Sequence, residues 1–179
     1  MASVPVLNSE RLTLRGFVAD DLEPYAQMMA VPDVRAFLSA GSEPLAHYES
    51  WREMCAVTGH WNLLGYGVFA VVEKVSGALI GRVGPHHAEG GPGVEIGWMI
   101  ASSCQGKGYA YEAARLAIDW FFESHPDEQR LISLIDVGNA PSIALAEKLG
   151  ETNTGETFTH WQDGALDIWE LTRERWTGS

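Results

Sequence analysis

Six consecutive residues, Gln105-Gly106-Lys107-Gly108-Tyr109-Ala110, set two glycines and a cation at the approach to a strongly patterned helix. A small-residue turn that runs into a helix start exposes several main-chain N–H groups and the positive end of the helix dipole. Together these bind phosphate oxygens. Glycine permits close main-chain approach and dihedrals closed to bulkier residues, and Lys107 adds a point charge. The spacing is not a nucleotide P-loop, which would end in Gly-Lys-Ser/Thr. Nor is it a dinucleotide fingerprint, which needs a third glycine and a following ribose-binding acid. From local chemistry alone, a helix-entry turn with glycines for packing accounts for the segment equally well.

Other reactive side chains carry less. His86 and His87 precede Glu89, but neighbours on a strand point to opposite faces and do not chelate one ion, so no metal is expected. His160 beside Trp161 sits in a turn between the last two strands. Cys55 and Cys104 are the only cysteines, too few for a disulfide framework or a thiolate metal site. Neither has an obvious histidine partner, which disfavours a covalent enzyme intermediate.

The elements that must position these residues follow from periodicity. Arg11 to Arg15 alternates as a strand, and Asp20-Asp21 offers an N-cap for a helix through Leu22, Tyr25, Met28 and Met29. A second helix is expected from near Leu45 to Ala56, with Tyr48 and Trp51 on a core face. Tyr66 to Glu73 and Ala78 to Gly84 read as a hairpin turning at Val75-Ser76-Gly77. A strand from Val94 to Ile100 follows, on which alternation turns Glu95 away from Val94, Ile96 and Trp98. The helix from about Gly108 to Glu123 carries Ala110, Ala113, Ala114, Ala117, Ile118 and Phe121 on one stripe. Leu131 to Val137 reads as a central strand, and a helix runs from Asn139 through Leu149 to a Gly150 C-cap. Glu151 to Phe158 and Leu166 to Leu171 form a last pair of strands around Gln162-Asp163-Gly164. Strand–helix–strand from Val94 to Val137 is one right-handed parallel crossover. The hairpins on either side make a mixed α/β sheet with helices on both faces.

The chain has 179 residues, which suits one domain spanning 1–179. A net charge of −12 argues against a nucleic-acid partner, since phosphate binding needs a basic face. It is compatible with a cationic substrate, and equally with a solvated surface. No apolar run approaches the roughly eighteen residues of a membrane span, and Met1 to Leu7 does not resemble a signal peptide. A cytoplasmic protein, monomer or homodimer, is the expectation.

Gln105-x-x-Gly108-x-Ala110 matches the Gln/Arg-x-x-Gly-x-Gly/Ala pyrophosphate loop of the GNAT N-acetyltransferase superfamily. Glu95-Ile96-Gly97-Trp98 matches upstream of it, and Asn139-Ala140-Pro141-Ser142 through Glu147-Lys148-Leu149-Gly150 downstream. Glu10 to Arg15 and Leu79-Ile80-Gly81 resemble the RimJ/RimL-type branch, which acetylates ribosomal-protein N-termini. The resemblance spans roughly residues 8 to 172. It implies a three-layer fold whose parallel strands, Val94 to Ile100 and Leu131 to Val137, splay apart in a mostly antiparallel sheet, with Gly97 as the bulge that starts the splay. Acetyl-CoA would enter as co-substrate, its pantetheine pairing with the backbone of Trp98, Met99 and Ile100 and reaching Asn139. Its pyrophosphate would rest on the amides of Gln105, Gly106, Lys107, Gly108, Tyr109 and Ala110.

The implied reaction is direct attack of a primary amine, on a protein N-terminus or a small molecule, upon the thioester. Glu95 stands where the family often places a base; a solvent-facing strand glutamate is the other reading of it. A strand-edge N–H such as that of Met99 would stabilise the oxyanion. The tyrosine many relatives use as the acid is replaced by Ala146. Ser142 stands where the RimJ/RimL-type branch has a serine, although a first-turn serine also caps main-chain N–H groups. Glu151 departs from the apolar aromatic usual after Leu-Gly. Two rivals stay open: a non-catalytic acyl-CoA sensor, and a phosphate-anchored nucleotide-binding module.

Overall fold

A computed structural model describes residues 4–35, 44–159 and 164–178. Among the described residues eight strands form one sheet in the order β1-β2-β3-β4-β5-β6-β8-β7. They are β1 (Leu7–Asn8), β2 (Leu12–Arg15), β3 (Phe69–Glu73), β4 (Leu79–His86), β5 (Glu95–Ile100), β6 (Arg130–Ile135), β7 (Thr152–Thr159) and β8 (Ala165–Thr172). The β5–β6 pair is parallel and the other pairs are antiparallel.

Helices α4 (Tyr109–Ser124) and α5 (Ala140–Leu149) cover one face of this sheet; α1 (Leu22–Met29) and α3 (His47–Leu64) lie over the other, except that Trp61 near the end of α3 reaches the α4 side and meets Trp120. Two further helices among the described residues, α2 (Pro32–Arg35) and α6 (Arg173–Thr177), are short. The alanine stripe behaves as its spacing demands. Ala113, Ala114, Ala117, Ile118 and Phe121 are fully buried against Leu14, Phe69, Val83, Ile96 and Leu131. Small side chains bring the α4 backbone close to the sheet, and so bring its N-terminus close to the end of β5. On the opposite face Met99 packs with Tyr25, Met28 and Met29 of α1 and Met54 of α3.

Several local expectations are met and several are corrected. Gly150 ends α5 with φ +90°, a left-handed cap that favours glycine. Helix α3 runs past Gly59 to Leu64, because Ser50, Met54, Val57 and Trp61 continue its buried stripe. Tyr48 and Trp51 lie off that stripe and are 60% and 52% exposed. Asp21 is not a simple N-cap. Its carboxylate accepts the Val18 N–H at 2.9 Å and two Arg15 N–H groups at 2.6 and 2.8 Å. Gly97 sits in regular register opposite Gly84; the irregularity in this part of the sheet falls between Val71 and Val72 instead. Gln162-Asp163 and His160-Trp161 lie outside the described residues. Among the described residues no helix is long and apolar enough to cross a membrane.

Candidate active site

Strands β5 and β6 meet at a single register position, Glu95 opposite Ile132, backed by the Ile132 N–H to Val94 carbonyl bond at 2.9 Å. Beyond it they separate, so the fold itself opens a cleft at the middle of the sheet. Ser133 Oγ ties the vertex by donating to the Ile96 carbonyl at 2.9 Å.

Hydrogen-bond parity decides which main-chain groups face the cleft. The Ala101 N–H bonds the Ile80 carbonyl at 2.8 Å, and the β4–β5 register places the two residues opposite each other. In an antiparallel ladder bonded and non-bonded pairs alternate. Met99 therefore exchanges bonds with Arg82, Gly97 with Gly84 and Glu95 with His86, whereas Ile96, Trp98 and Ile100 turn their N–H and C=O groups toward β6. Pro85, which has no N–H, stands opposite Ile96 at a non-bonded position, as this parity requires. The open strand edge thus presents Trp98 and Ile100, and Met99 directs its N–H to β4.

Across the cleft, α5 begins at Asn139, whose side-chain oxygen accepts the Ser142 N–H at 3.2 Å. Asn139, not Ser142, is the cap. Ser142 Oγ instead receives the Trp98 indole N–H at 3.1 Å, a bond spanning from β5 to α5. Indole can only donate, so Ser142 keeps its own proton for another acceptor.

At the far end of β5 the chain turns through Ser102–Cys104 into the glycine loop. The Gln105 side chain donates to the Ile100 carbonyl at 3.0 Å, fastening the loop to the strand end. Gly106 and Gly108 have φ of +72° and +81°, and a Cβ at Gly106 would meet nothing within 4 Å. The first helical closure is Glu112 N–H to the Gly108 carbonyl at 3.1 Å. The N–H groups of Tyr109, Ala110 and Tyr111 belong to the first turn and have no helical acceptor. The Tyr109 side chain is buried and its hydroxyl donates to Glu73 at 2.5 Å, so only its main chain serves the loop. A groove of about 450 Å³ continues from the loop, lined in part by Arg11, Gly108, Tyr111, Arg115 and Lys148. First-turn N–H groups without helical acceptors, an open glycine cradle and cations beside them form a donor set that fits a diphosphate.

Glu95 occupies the opposite face of the sheet, with Gly97 and Met99, at the point where β5 and β6 part. It is half-buried, and burial pushes its carboxyl up to about 7. His86 stands directly across the strand pair from it and stacks on His60, ring centroids 4.9 Å apart. Farther along this face Arg82, opposite Met99, pairs with Glu53 of α3 at 2.8 Å. The sheet thus separates two sides of one opening: loop, Trp98 and Ser142 on one, Glu95 on the other.

A second carboxyl is also raised. Glu151 is 3% exposed, has one carboxyl oxygen 3.2 Å from Ser133 Oγ, and is pushed by burial up to about 7. Where an aromatic was expected, the acid thus sets one oxygen beside Ser133 at the cleft vertex and leaves the other buried without a hydrogen-bond partner among the described residues.

A family model described as an acetyltransferase (GNAT) domain matches residues 11–152. The chain belongs to the GNAT acetyltransferase family. YkkB of Bacillus subtilis strain 168 is 38% identical over 104 residues, which is 56% of this chain and 59% of that protein. The chain thus matches about three fifths of that relative's length. An acetyltransferase from Agrobacterium tumefaciens strain C58 superposes with a TM-score of 0.81 at 30% identity, covering 96% of each chain. A RimL ribosomal L7/L12 N-acetyltransferase solved with coenzyme A shares the fold at 14% identity, TM-score 0.76, over 94% of this chain and 98% of that one.

Within this GNAT domain the structure brings Trp98, Ile100, Asn139 and Ser142 to one cleft, the loop from Gln105 to Ala110 to its outer end, and Glu95 to the face behind. Reading the sequence alone missed Arg11, Glu73 and Glu112 around the loop and Ser133 at the vertex. Their partners are far apart in the chain, so no local spacing marks them.

Proposed function

We propose that this GNAT protein transfers acetyl from acetyl-CoA to a primary amine by direct attack, in the cytoplasm, as a monomer or homodimer. The observation that carries the reading is the pairing of Glu95, held near neutrality by burial, with a phosphate-binding loop at the outer end of the same split strand. The acceptor amine enters from the α1–α3 face. Glu95 takes its proton, directly or through water, as the nitrogen lone pair attacks the thioester carbon. The Trp98 N–H, on the open edge, stabilises the developing oxyanion. Collapse re-forms the carbonyl and breaks the C–S bond; the departing thiolate takes a proton relayed through the Ser142 hydroxyl, which solvent replaces as Glu95 gives up to solvent the proton it took from the amine. The net charge of −12 favours a cationic acceptor over a nucleic acid. The acceptor class spans protein N-termini and small-molecule amines; the similarity in fold to a RimL enzyme named for ribosomal L7/L12 supports the first.

A non-catalytic acyl-CoA sensor would need neither a raised Glu95 nor a Ser142 with a proton to give. The donor reading predicts that CoA or acetyl-CoA at a hundred times its Kd adds about 2.7 kcal/mol of stability, a Tm rise of roughly 5 °C or more. ATP and NAD give no comparable shift. Stabilisation by ATP alone would overturn the reading in favour of a nucleotide module.

A further inference from the structure

The loop that receives the diphosphate has an acid in the wrong place. Glu112 lies at the first turn of α4, beside the N–H groups that would face phosphate oxygens, where an uncompensated carboxylate repels an anion. It is ionised: burial pushes its carboxyl up, but hydrogen bonds from Ser9 and Arg11 and the Arg11 charge hold it below the usual range. One side chain from the start of the chain answers this. Arg11 directs its Nε to Glu112 Oε2 at 2.6 Å and its second terminal nitrogen to the same oxygen at 2.5 Å. The Arg11 main-chain N–H takes the other oxygen at 3.0 Å, and Ser9 Oγ joins it at 2.7 Å.

The same guanidinium also grips the loop. Its remaining terminal nitrogen donates to the Lys107 carbonyl at 3.0 Å, and its central carbon lies over the Tyr109 ring, 4.6 Å from the centroid. In a trans peptide the C=O and the following N–H point in opposite directions. Fixing the Lys107 carbonyl toward Arg11 therefore fixes the Gly108 N–H away from it, with the left-handed φ at Gly108 setting the hinge. Tyr109 is anchored separately, through its hydroxyl to Glu73.

We propose that Arg11 is a positioning residue for the donor's diphosphate: it aims the Lys107–Gly108 peptide and cancels the charge of Glu112. This rests on the acetyl-CoA reading above. It assigns a task to an arginine just before β2, 96 positions ahead of the Lys107 it holds, and makes donor affinity depend on the packing of α4 over the start of β2. Lysine cannot replace it fully, because one ammonium does not reach a carboxylate and a carbonyl in the fork geometry of guanidinium.

The test is calorimetric titration of CoA and of pantetheine, which lacks the diphosphate, into the full-length wild type and variants. Arg11→Ala should weaken CoA about tenfold to a hundredfold, the scale of losing charge-assisted bonds. Pantetheine affinity should fall by less than about threefold, because that arm lies in the cleft and not on the loop. Arg11→Lys should fall between wild type and alanine. Arg11→Ala combined with Glu112→Gln should recover part of the CoA loss, since the repelling charge is gone. Unchanged CoA binding in Arg11→Ala, or equal losses for CoA and pantetheine, would overturn the positioning role. A double variant no better than Arg11→Ala would overturn the charge-cancelling half. If wild type binds pantetheine but gains nothing from the diphosphate of CoA, the loop reading itself fails, and that result is distinct from the others.

Discussion

Glu95→Gln is expected to lower kcat at pH 7 by about a hundredfold or more, the contribution of a positioned general base. The substitution keeps shape and removes the proton acceptor. The folded-state carboxyl titrates at about 7, so in the wild type activity rises with pH through that region as Glu95 loses its proton. In the variant this limb disappears and rate follows only the fraction of free amine, which grows at higher pH. Stability should not suffer. A half-buried carboxylate that loses its charge also loses its desolvation penalty, so Tm at pH 8 should hold or rise. CoA affinity should change little, because Glu95 faces away from the loop. The check is kcat against pH with CoA Kd measured alongside. Unaltered kcat at neutral pH would leave Glu95 a strand residue and move proton removal to another group or to water.

Gly108→Val should weaken CoA by about a hundredfold or more. Several charge-assisted main-chain bonds depend on this turn, each worth roughly 1.5–3 kcal/mol. The cause is conformational rather than steric. A Cβ at Gly108 would lie an ordinary 3.5 Å from the Arg11 guanidinium, but φ is +81°, where a β-branched residue is strained. The loop is forced to re-form, and its N–H groups no longer converge. Lys107→Ala should cost only a few fold, because the main chain supplies most contacts. Titration of CoA into both variants, with circular dichroism to confirm the fold, reads this directly. A Lys107→Ala loss exceeding that of Gly108→Val would make the loop a charge site instead.

The fold was largely legible in the sequence because its strongest signals are local. The alanine stripe of α4 has one periodic solution, and Gly150 one turn conformation. The strand of Glu95 alternates, so the face of its side chain followed without coordinates. Where a feature depends on what lies across the sheet, the sequence was silent or misleading. Tyr48 and Trp51 share a helical face, yet that face turns outward, because the buried stripe of α3 runs through Met54, Val57 and Trp61. Gly97 suggested a bulge, but β5 keeps regular register with β4 and parts from β6 simply because pairing stops after Glu95. The inward N–H of Trp98 rather than Met99 follows from ladder parity, which a single strand cannot reveal. Arg11 and Glu112 are 101 positions apart, and only the packing of α4 over β2 brings them together. Glu151 stood out as a departure, and the hydroxyl it lies against, that of Ser133 at the vertex, is on another strand.

The central claim is that this opening joins an acetyl donor to an amine in one step. Its most direct test is free-thiol release from acetyl-CoA by the wild-type protein, measured with and without a panel of primary amines: N-terminal peptides, polyamines, amino acids and aminoglycosides. The account predicts thiol release that requires an amine, yields one acetylated amine per thiol, and leaves no acetyl on the protein when the amine is withheld. Tight CoA binding with no thiol release for any amine, or an acetylated protein accumulating before the amine is added, would contradict it.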